Sequence, residues 1–219
     1  ENCKINNVDL QNNIFTSYLQ SFVTYGGAIK VNSCNGDSIL FENIRVLRNS
    51  IDHISSVEIG SSNSVYFLNS IVAYNTIPNS IDKYSITGGT WSNCTIANNY
   101  GSGITGGTIS FSSIIQNDIA LYNTTADNIT IISNNVGTNS EINNSNFINN
   151  SIGAEGNNYD AEYNYWGDSS GPYHPSQNPS GQGDSVSHGI DIDPWLTAPN
   201  TDAPPIPAQN TTVTGTGND

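Results

Sequence analysis

The sequence predicts an all-β fold, a right-handed parallel β-helix (solenoid) closed by a C-terminal cap and followed by an extended tail. A seven-residue string recurs between residues 7 and 166, and seven consecutive copies of it end in asparagine. Between the copies there is no helical periodicity of 3.6 residues. We expect β-helix coils over residues 1–162, a capping segment over 163–196 and a Pro/Thr-rich tail over 197–219.

The recurring string predicts a short strand with one buried face. Its fourth position is apolar or aromatic in every copy, and its second position is small or apolar in all of them. Residues two apart on a strand point to the same face, so these two positions face the core. The copies read NVDLQNN (7–13), NIRVLRN (43–49), NSIVAYN (69–75), NCTIANN (93–99), FSSIIQN (111–117), ITIISNN (129–135) and NSNFINN (144–150), and DAEYNYW (160–166) follows.

The spacing of the copies predicts stacked coils. From Asn49 onward, successive seventh positions lie 15 to 26 residues apart, and 36 residues separate Asn13 from Asn49. One strand in fixed register within a repeat of this length is typical of a solenoid. A leucine-rich repeat would show recurrent Leu, where this chain has Ile and Asn. We expect roughly seven to nine coils.

The asparagine at the seventh position predicts a structural ladder rather than a row of ligand-binding groups. Equivalent residues of neighbouring parallel coils lie about 4.8 Å apart, a distance at which stacked amides hydrogen-bond along the axis. Asparagine also tolerates the left-handed backbone that a sharp turn requires. The predicted members are Asn13, Asn49, Asn75, Asn99, Asn117, Asn135 and Asn150.

Two segments resemble known β-helix proteins. The stretch GGAIKVNSCNGDSILFENIRVLRN (26–49) resembles coils of secreted right-handed β-helix proteins, including polymorphic outer-membrane and autotransporter passenger repeats. Their Gly-Gly-Ala-Ile marker occurs at 26–29, and their Phe-x-x-Asn marker at Phe147 and Asn150. The segment NYWGDSSGP…GQGDSVSHGIDIDPWL (164–196) is similar to the closing segment of many bacterial and archaeal surface β-helix proteins. The resemblance implies a secreted or surface-exposed solenoid.

The aromatic cluster YNYWGDSSGP (163–172) is interpreted as a cap rather than an active site. In the register of the string, Tyr163 fills the buried fourth position and Trp166 takes the seventh. An indole cannot continue an amide ladder, but it can cover the apolar end of the last coil. Gly167 then turns the chain away, and Trp195 belongs to the same closing segment. The predicted cap residues are Tyr163, Trp166, Gly167 and Trp195.

Charge excludes several classes of partner. The net charge is −14, and the chain contains only five Lys and Arg residues. Nucleic-acid binding depends on cationic contacts to phosphates, and acidic polysaccharides would be repelled. No run of 18 apolar residues is present, so we expect no insertion into a membrane.

The residues do not predict an enzyme, and we assign no catalytic residue. Polysaccharide lyases of this fold need clustered aspartates with an Arg or Lys base, whereas only Glu42 and Asp52 lie near Arg45 and Arg48 in the sequence. Glycosidases need paired carboxylates at a defined separation, but most aspartates here stand singly near turns. Arg45 and Arg48 are expected on an exposed coil face.

No cofactor is predicted, apart from a candidate calcium site in the closing segment. Asp191 and Asp193 alternate with two isoleucines, so both carboxylates face one side of the strand. With Asp168 and Asp184 they could supply the oxygen ligands that calcium prefers. The alternative is that these acids only solvate an exposed strand.

Covalent modifications are predicted at a few positions. Of six Asn-x-Ser/Thr sequons, Asn123, Asn128 and Asn210 fall in expected loops or in the tail and are candidate glycan acceptors. Cys3 and Cys34 could form a disulfide in a secreted protein, and the alternative is that all three cysteines are free thiols.

The expected function is structural: a non-enzymatic extracellular subunit of a cell-surface filament or layer, self-associating into a homopolymer. Coil ends expose unpaired strand edges, and the tail strand NTTVTGT (210–216) could add to a neighbouring copy. A glycan-binding adhesin is an alternative and predicts a stripe of exposed aromatics, although Tyr18, Tyr66, Tyr84 and Tyr122 share no obvious column. A polysaccharide-degrading β-helix enzyme is a further alternative, requiring a groove with convergent carboxylates and a cation.

Overall fold

The described part of the chain is built from short strands. The computed structural model describes residues 3–11, 14–15, 29–31, 38–51, 57–59, 65–76, 84–156 and 158–206. Within these ranges no helix has the length and apolar character needed to cross a membrane. The strands are β1 (Cys3–Asn6), β2 (Asp9–Gln11), β3 (Ile14–Phe15), β4 (Ile29–Val31), β5 (Ile39–Glu42), β6 (Arg45–Leu47), β7 (Ser50–Ile51), β8 (Val57–Ile59), β9 (Val65–Leu68), β10 (Ile71–Ala73), β11 (Tyr84–Thr87), β12 (Thr90–Ser92), β13 (Thr95–Ala97), β14 (Ser102–Thr105), β15 (Thr108–Ser110), β16 (Ser113–Ile115), β17 (Ile119–Tyr122), β18 (Thr125–Asp127), β19 (Thr130–Ile132), β20 (Val136–Asn139), β21 (Ile142–Asn143), β22 (Asn146–Ile148), β23 (Ile152–Ala154), β24 (Tyr159–Asp160), β25 (Pro172–Tyr173), β26 (Gly183–Ser185) and β27 (Ile190–Asp191).

Three seven-stranded parallel sheets run along the molecule and confirm the predicted right-handed parallel β-helix. Successive coils contribute successive strands to each sheet, and each coil stacks on the one before it. The first sheet is β1-β5-β9-β12-β15-β18-β21, the second is β2-β6-β10-β13-β16-β19-β22, and the third is β4-β8-β11-β14-β17-β20-β23. The recurring string of the sequence corresponds to the strands of the second sheet, with its third to fifth positions in the strand.

Left-handed residues flank the strands of the second sheet and turn the chain into the neighbouring sheets. In the second coil these are Asn43 (φ 55°) and Arg48 (φ 51°), the first and sixth positions of the string. The first position is asparagine in most coils, and asparagine accepts this backbone more readily than most residue types. A glycine pair makes the turn between the third and first sheets in two coils. A Cβ added at Gly107 would lie 2.3 Å from the Gly89 carbonyl oxygen, so the stacked turns require glycine.

The core consists of apolar columns that run parallel to the axis. Inward residues pair with their equivalents one coil away, as Val46 does with Val72 in the second sheet. In the first sheet, Phe41, Phe67 and Trp91 form a continuous stack, with ring centroids 4.7 and 3.8 Å apart. Because each residue is buried by its counterparts in the adjacent coils, burial is shared along the whole solenoid.

The eighth coil is discontinuous and is built from two separate segments. Tyr165 bridges to Asn146 of the second sheet, and Val186 bridges to Ala154 of the third sheet. Residues 168–182 leave the coil between these two contacts. Strands β24 and β27 then pair with each other and close the C-terminal end.

The first part of the tail folds back on the solenoid. The main-chain N–H of Asn200 donates to Oδ1 of Asn146 at 2.8 Å, and Nδ2 of Asn146 donates to the Asn200 carbonyl at 3.0 Å. The Thr130 hydroxyl donates to the Pro204 carbonyl at 2.5 Å. Residues 200–204 therefore lie on the outer face of the second sheet. The predicted tail strand 210–216 lies outside the described residues.

Candidate functional site

A buried asparagine column is the most regular polar feature of the molecule. Oδ1 of Asn75 accepts from both the main-chain N–H and Nδ2 of Asn49, at 3.0 and 3.1 Å. The same Asn75 donates through Nδ2 to the Val46 carbonyl of the preceding coil. The column thus pairs amide and carbonyl groups that would be costly to bury without partners. The described members are Asn49, Asn75, Asn99, Asn117, Asn134 and Asn150.

The structure corrects one member of the predicted ladder. Asn134, not Asn135, bonds Asn117 and Asn150. Asn135 is exposed and donates to Asp118 instead, at 3.3 Å. The string in this coil therefore reads NITIISN over 128–134, one residue earlier than predicted, and Ile131 takes its fourth position. The predicted member Asn13 lies outside the described residues.

Asp184 ends the asparagine column, and the sequence did not indicate this role. Its Oδ2 accepts from the main-chain N–H of Asn150 at 3.0 Å and from Nδ2 of Asn150 at 2.7 Å. These are the two bonds that an asparagine Oδ1 accepts elsewhere in the column. Burial raises the pKa of this carboxyl to about 6, against the opposing effect of the Asn150 hydrogen bonds. Asp184 reaches the column from beyond the 168–182 insertion, so no local repeat signals it.

The second position of the string forms another hydrogen-bonded column. The Ser70 hydroxyl accepts from the main-chain N–H of Ile44, and the Ser112 hydroxyl accepts from that of Cys94. Asn164 continues the column, because its Oδ1 accepts from the N–H of Ser145 at 2.9 Å. Small polar side chains at this position thus satisfy turn amides. Burial raises the pKa of the Cys94 thiol to about 11, and Cys94 is a free cysteine in the described part of the chain.

The cap is built around Trp166, in a register different from the predicted one. Trp166 is fully buried and stacks on Phe147 with ring centroids 4.3 Å apart. It therefore occupies the fourth position, directly above Phe147, and not the seventh. Tyr163 is 49% exposed and left-handed (φ 55°), so it stands at the first position, and the prediction that it is buried was wrong. The shift of three residues is fixed by Asn164, which takes the second position.

The inserted segment 168–182 packs against itself and against residues 188–195 of the closing segment. Trp195 lies against Gly171, where an added Cβ would be 2.4 Å from the indole ring. Asn178 is buried and donates to the carbonyls of Ser170 and Pro172. Gly167 is exposed in a positive-φ turn (φ 92°) where this insertion begins.

A buried histidine lies within the same insertion. Nδ1 of His174 accepts from the main-chain N–H of Gln177 at 2.9 Å. Its ring meets that of His188 edge to face, with centroids 5.0 Å apart. Burial, with a smaller contribution from His188, lowers the pKa of His174. A neutral imidazole that accepts a main-chain bond stabilises the insertion.

The four aspartates of the candidate calcium site are not assembled into a ligand cluster. Among the described residues, no three His, Cys, Asp or Glu side chains are grouped to hold a metal ion. Asp184 is engaged in the ladder, and Asp168 accepts from both the N–H and the hydroxyl of Ser170, which lowers its pKa. Asp191 and Asp193 are exposed. Desolvation raises the pKa of the nearby Glu162, and the negative charges of Asp160, Asp191 and Asp193 raise it further.

The cationic residues of the second coil lie on the surface. Arg45 is exposed and pairs with Asp9 at 3.4 Å. Arg48 is exposed and stands over the Tyr74 ring, 5.6 Å from its centroid. Both positions agree with the predicted exposed coil face. The groups that hold the two cations are a carboxylate and an aromatic ring on neighbouring coils.

The predicted modification sites are placed unequally. Asn123 is exposed at a left-handed turn (φ 49°). Asn128 is half-buried, and its Oδ1 accepts from Nδ2 of Asn200 in the docked tail at 2.8 Å. A glycan at Asn128 would therefore displace the tail. Asn210, Cys34 and the side chain of Cys3 lie outside what the structure describes, and so does the predicted Cys3–Cys34 pairing.

Two tyrosines that share no column in the sequence meet on the third sheet. Tyr84 of β11 and Tyr122 of β17 have ring centroids 6.3 Å apart and an interplanar angle of 30°. Tyr66 lies on the outer face of the first sheet, and Tyr18 is outside the described residues. Tyr84 and Tyr122 belong to strands two coils apart, so inspection of the sequence column by column does not reveal their contact.

Comparison of the chain with protein-family models, with curated proteins and with solved structures found no match.

Proposed function

We propose that this protein is a non-enzymatic extracellular structural protein, a subunit of a cell-surface filament or layer that self-associates through its coil ends, its C-terminal tail or both. The observation that carries the proposal is the difference between the two ends of the solenoid. Among the described residues, the strands of the first coil are paired on one side only, whereas the last coil is closed by a cap.

The N-terminal end offers edges for pairing. In the part of the chain that the structure describes, β1, β2 and β4 each have a neighbouring strand on one side only. The inward residues Ile5, Val8 and Leu10 are partly exposed. Their equivalents one coil further along are buried, namely Phe41, Ile44 and Val46. Unpaired edges with apolar side chains are templates for another chain.

The geometry of such a contact supports a polymer. If this edge pairs with a different surface of the next copy, the contact is heterologous and does not close on itself. The tail offers a second route, since the paired hydrogen bonds between Asn200 and Asn146 could equally form between copies. The resemblance of residues 164–196 to closing segments of surface β-helix proteins supports the extracellular location.

Electron microscopy and sedimentation of the full chain test the proposal. We expect regular fibres or sheets, and we expect a folded fluorescent protein fused before Glu1 to block them. The same domain fused after Asp219 is the matched control and should leave assembly through the coil end intact. Only monodisperse monomers over a range of pH and salt would refute self-association. Cleavage of a polysaccharide that a single Asp substitution abolishes would refute the non-enzymatic assignment.

A further inference from the structure

The outer face of the third sheet carries an aromatic platform formed by Tyr84 and Tyr122. Tyr84 pairs in register with Ser102, and Tyr122 pairs with Thr105, so β14 lies between the two tyrosine strands. The two ring centroids are 6.3 Å apart, although the two residues lie two coils apart and at opposite ends of their strands. Both side chains must therefore lean over β14, where they form one continuous surface. Tyr122 is 40% exposed.

Buried hydroxyl groups lie beside the platform. Ser102, the register partner of Tyr84, is buried. The hydroxyl oxygens of Thr105 and of Thr87, one coil away, are also buried and have no hydrogen-bond partner among the described residues. An unpaired buried hydroxyl has a cost in free energy. Because both oxygens are inaccessible to solvent, they do not contact a ligand in this conformation, and a ligand would bind through the exposed surface of the platform.

The platform is electrically neutral in a strongly acidic protein. Strands β11, β14, β17, β20 and β23 contain no Asp, Glu, Lys or Arg. The charged residues of the third sheet are Glu58 on β8, the register partner of Thr87, and Lys30 on β4, the register partner of Glu58. The whole chain carries a net charge of −14. The negative field of the remaining surface repels anionic polymers. An uncharged ligand meets neither this repulsion nor a charge that must be desolvated.

We propose that Tyr84 and Tyr122 bind a neutral saccharide chain, with one sugar ring stacked on the exposed face of Tyr122. A neutral sugar ring has an apolar face of C–H groups and a rim of hydroxyls. The apolar face suits an aromatic ring, and the rim suits nearby amides and hydroxyls. Asn139 is paired in register with Tyr122 and is half-buried, so it is placed to hydrogen-bond that rim. This inference does not depend on self-association of the protein.

Binding assays with defined oligosaccharides test the site. Chitohexaose and cellohexaose are the neutral probes, and hexagalacturonate is the anionic one. We expect binding of at least one neutral probe and none of the anionic probe, and we expect Tyr122→Ala and Tyr84→Ala to weaken binding by about tenfold or more. Tyr66→Ala is the matched control, because Tyr66 is equally exposed (40%) but lies on the first sheet. It should leave binding unchanged.

A second measurement works on the unaltered protein and does not depend on how the variants fold. Nitration of tyrosines followed by peptide mapping should show that the neutral probe protects Tyr84 and Tyr122, while Tyr66 and Tyr163 react as before. Failure of both neutral probes to bind at millimolar concentration would overturn the proposal. So would unchanged affinity of folded Tyr122→Ala, equal loss in Tyr66→Ala, or protection only at Tyr66 or Tyr163.

Discussion

Replacing Asp184 by asparagine is expected to extend the buried asparagine column by one residue and to stabilise the protein at neutral pH. In the preceding coils, Nδ2 of the ladder residue also donates to the fourth-position carbonyl of the coil before it, as Asn150 does to Ile131. For residue 184 the equivalent acceptor is the Phe147 carbonyl. An amide can donate to that oxygen, whereas an ionised carboxylate cannot.

The pKa of Asp184 sets the size of the effect. Burial raises this pKa from 3.8 to about 6, which corresponds to about 3 kcal/mol at about 1.4 kcal/mol for each pH unit. Asp184 is only partly buried, so solvent reduces this value. We expect a gain of about 1 to 3 kcal/mol in the free energy of unfolding above pH 7.

The pH dependence gives the prediction its sign. The native carboxyl keeps its proton up to about pH 6, whereas the unfolded chain releases it near pH 3.8. The native state therefore binds more protons between these values, and the contribution of Asp184 to stability falls as pH rises through this window. That contribution is largest below pH 3.8 and is lost above about pH 6. The stability of the Asp184→Asn variant lacks this pH-dependent contribution.

Urea unfolding at pH 4.5 and pH 7.5, followed by tryptophan fluorescence, measures the difference. The free-energy gain of Asp184→Asn over the unaltered protein should be larger at pH 7.5 than at pH 4.5. Asp193→Asn is the control, because Asp193 is exposed in the same closing segment, and it should change the pH dependence little. The reasoning would be refuted if Asp184→Asn were less stable than the unaltered protein at pH 7.5, since the ionised carboxylate would then be the favoured end of the column.

Three further outcomes are expected. Asn134→Ala should lower the free energy of unfolding by about 2 to 4 kcal/mol, because it leaves buried donors and acceptors unpaired on both sides. Asn135→Ala should change the free energy of unfolding by less than about 1 kcal/mol. Equal losses of the two variants in urea unfolding would contradict the register. Trp166→Ala should lower the free energy of unfolding by about 3 to 5 kcal/mol, because it opens a cavity above Phe147. Tyr163 is exposed, so Tyr163→Ala should lower it far less. A larger decrease for Tyr163→Ala would show that Tyr163 is the buried residue of the cap. Burial raises the pKa of the Cys94 thiol to about 11, and the thiolate is the form that reacts. Cys94 should therefore react with iodoacetamide at pH 8 only after the protein unfolds. Rapid labelling of Cys94 in the folded protein would show that this thiol is not buried.

The architecture could be predicted from the sequence because the repeat imposes the same constraint many times. A fourth-position residue such as Ile96 pairs with Val72 of the preceding coil and Ile114 of the following one, so apolar character recurs at every coil. The seventh-position amide is under the same constraint. Several copies of the string agree with one another although each is imperfect. The fold class could therefore be predicted even though single copies are irregular.

Single-residue register could not be predicted where two residues satisfied the same pattern. At Asn134 and Asn135 the sequence contains adjacent asparagines, and Ile131 and Ile132 are adjacent isoleucines. Both registers give an apolar fourth position and an asparagine seventh. The choice depends on the length of the coil that follows Asn117. That length is set by the turn before β19, where Asn128 takes the left-handed conformation (φ 51°).

The closing coil could not be predicted because its parts are not contiguous. In the earlier coils, the fourth and seventh positions lie three residues apart, as in Phe147 and Asn150. In the eighth coil they are Trp166 and Asp184, with the insertion 168–182 between them. The main-chain N–H of Asp184 donates to the Trp166 carbonyl at 2.7 Å, so a hydrogen bond joins the two segments where earlier coils have continuous chain.

Asp184 is needed because of its position in three dimensions and not because of its position in the repeat. The main-chain N–H and Nδ2 of Asn150 need an acceptor at the end of the column, because burying them unpaired would be costly. Any segment that brings an oxygen to this point satisfies them, whatever its distance from Asn150 in the chain. Counting residues from one copy of the string to the next therefore assigned Trp166 to the seventh position and left Asp184 without a place. The closed end of the solenoid depends on this long-range contact, and a repeat pattern contains no information about it.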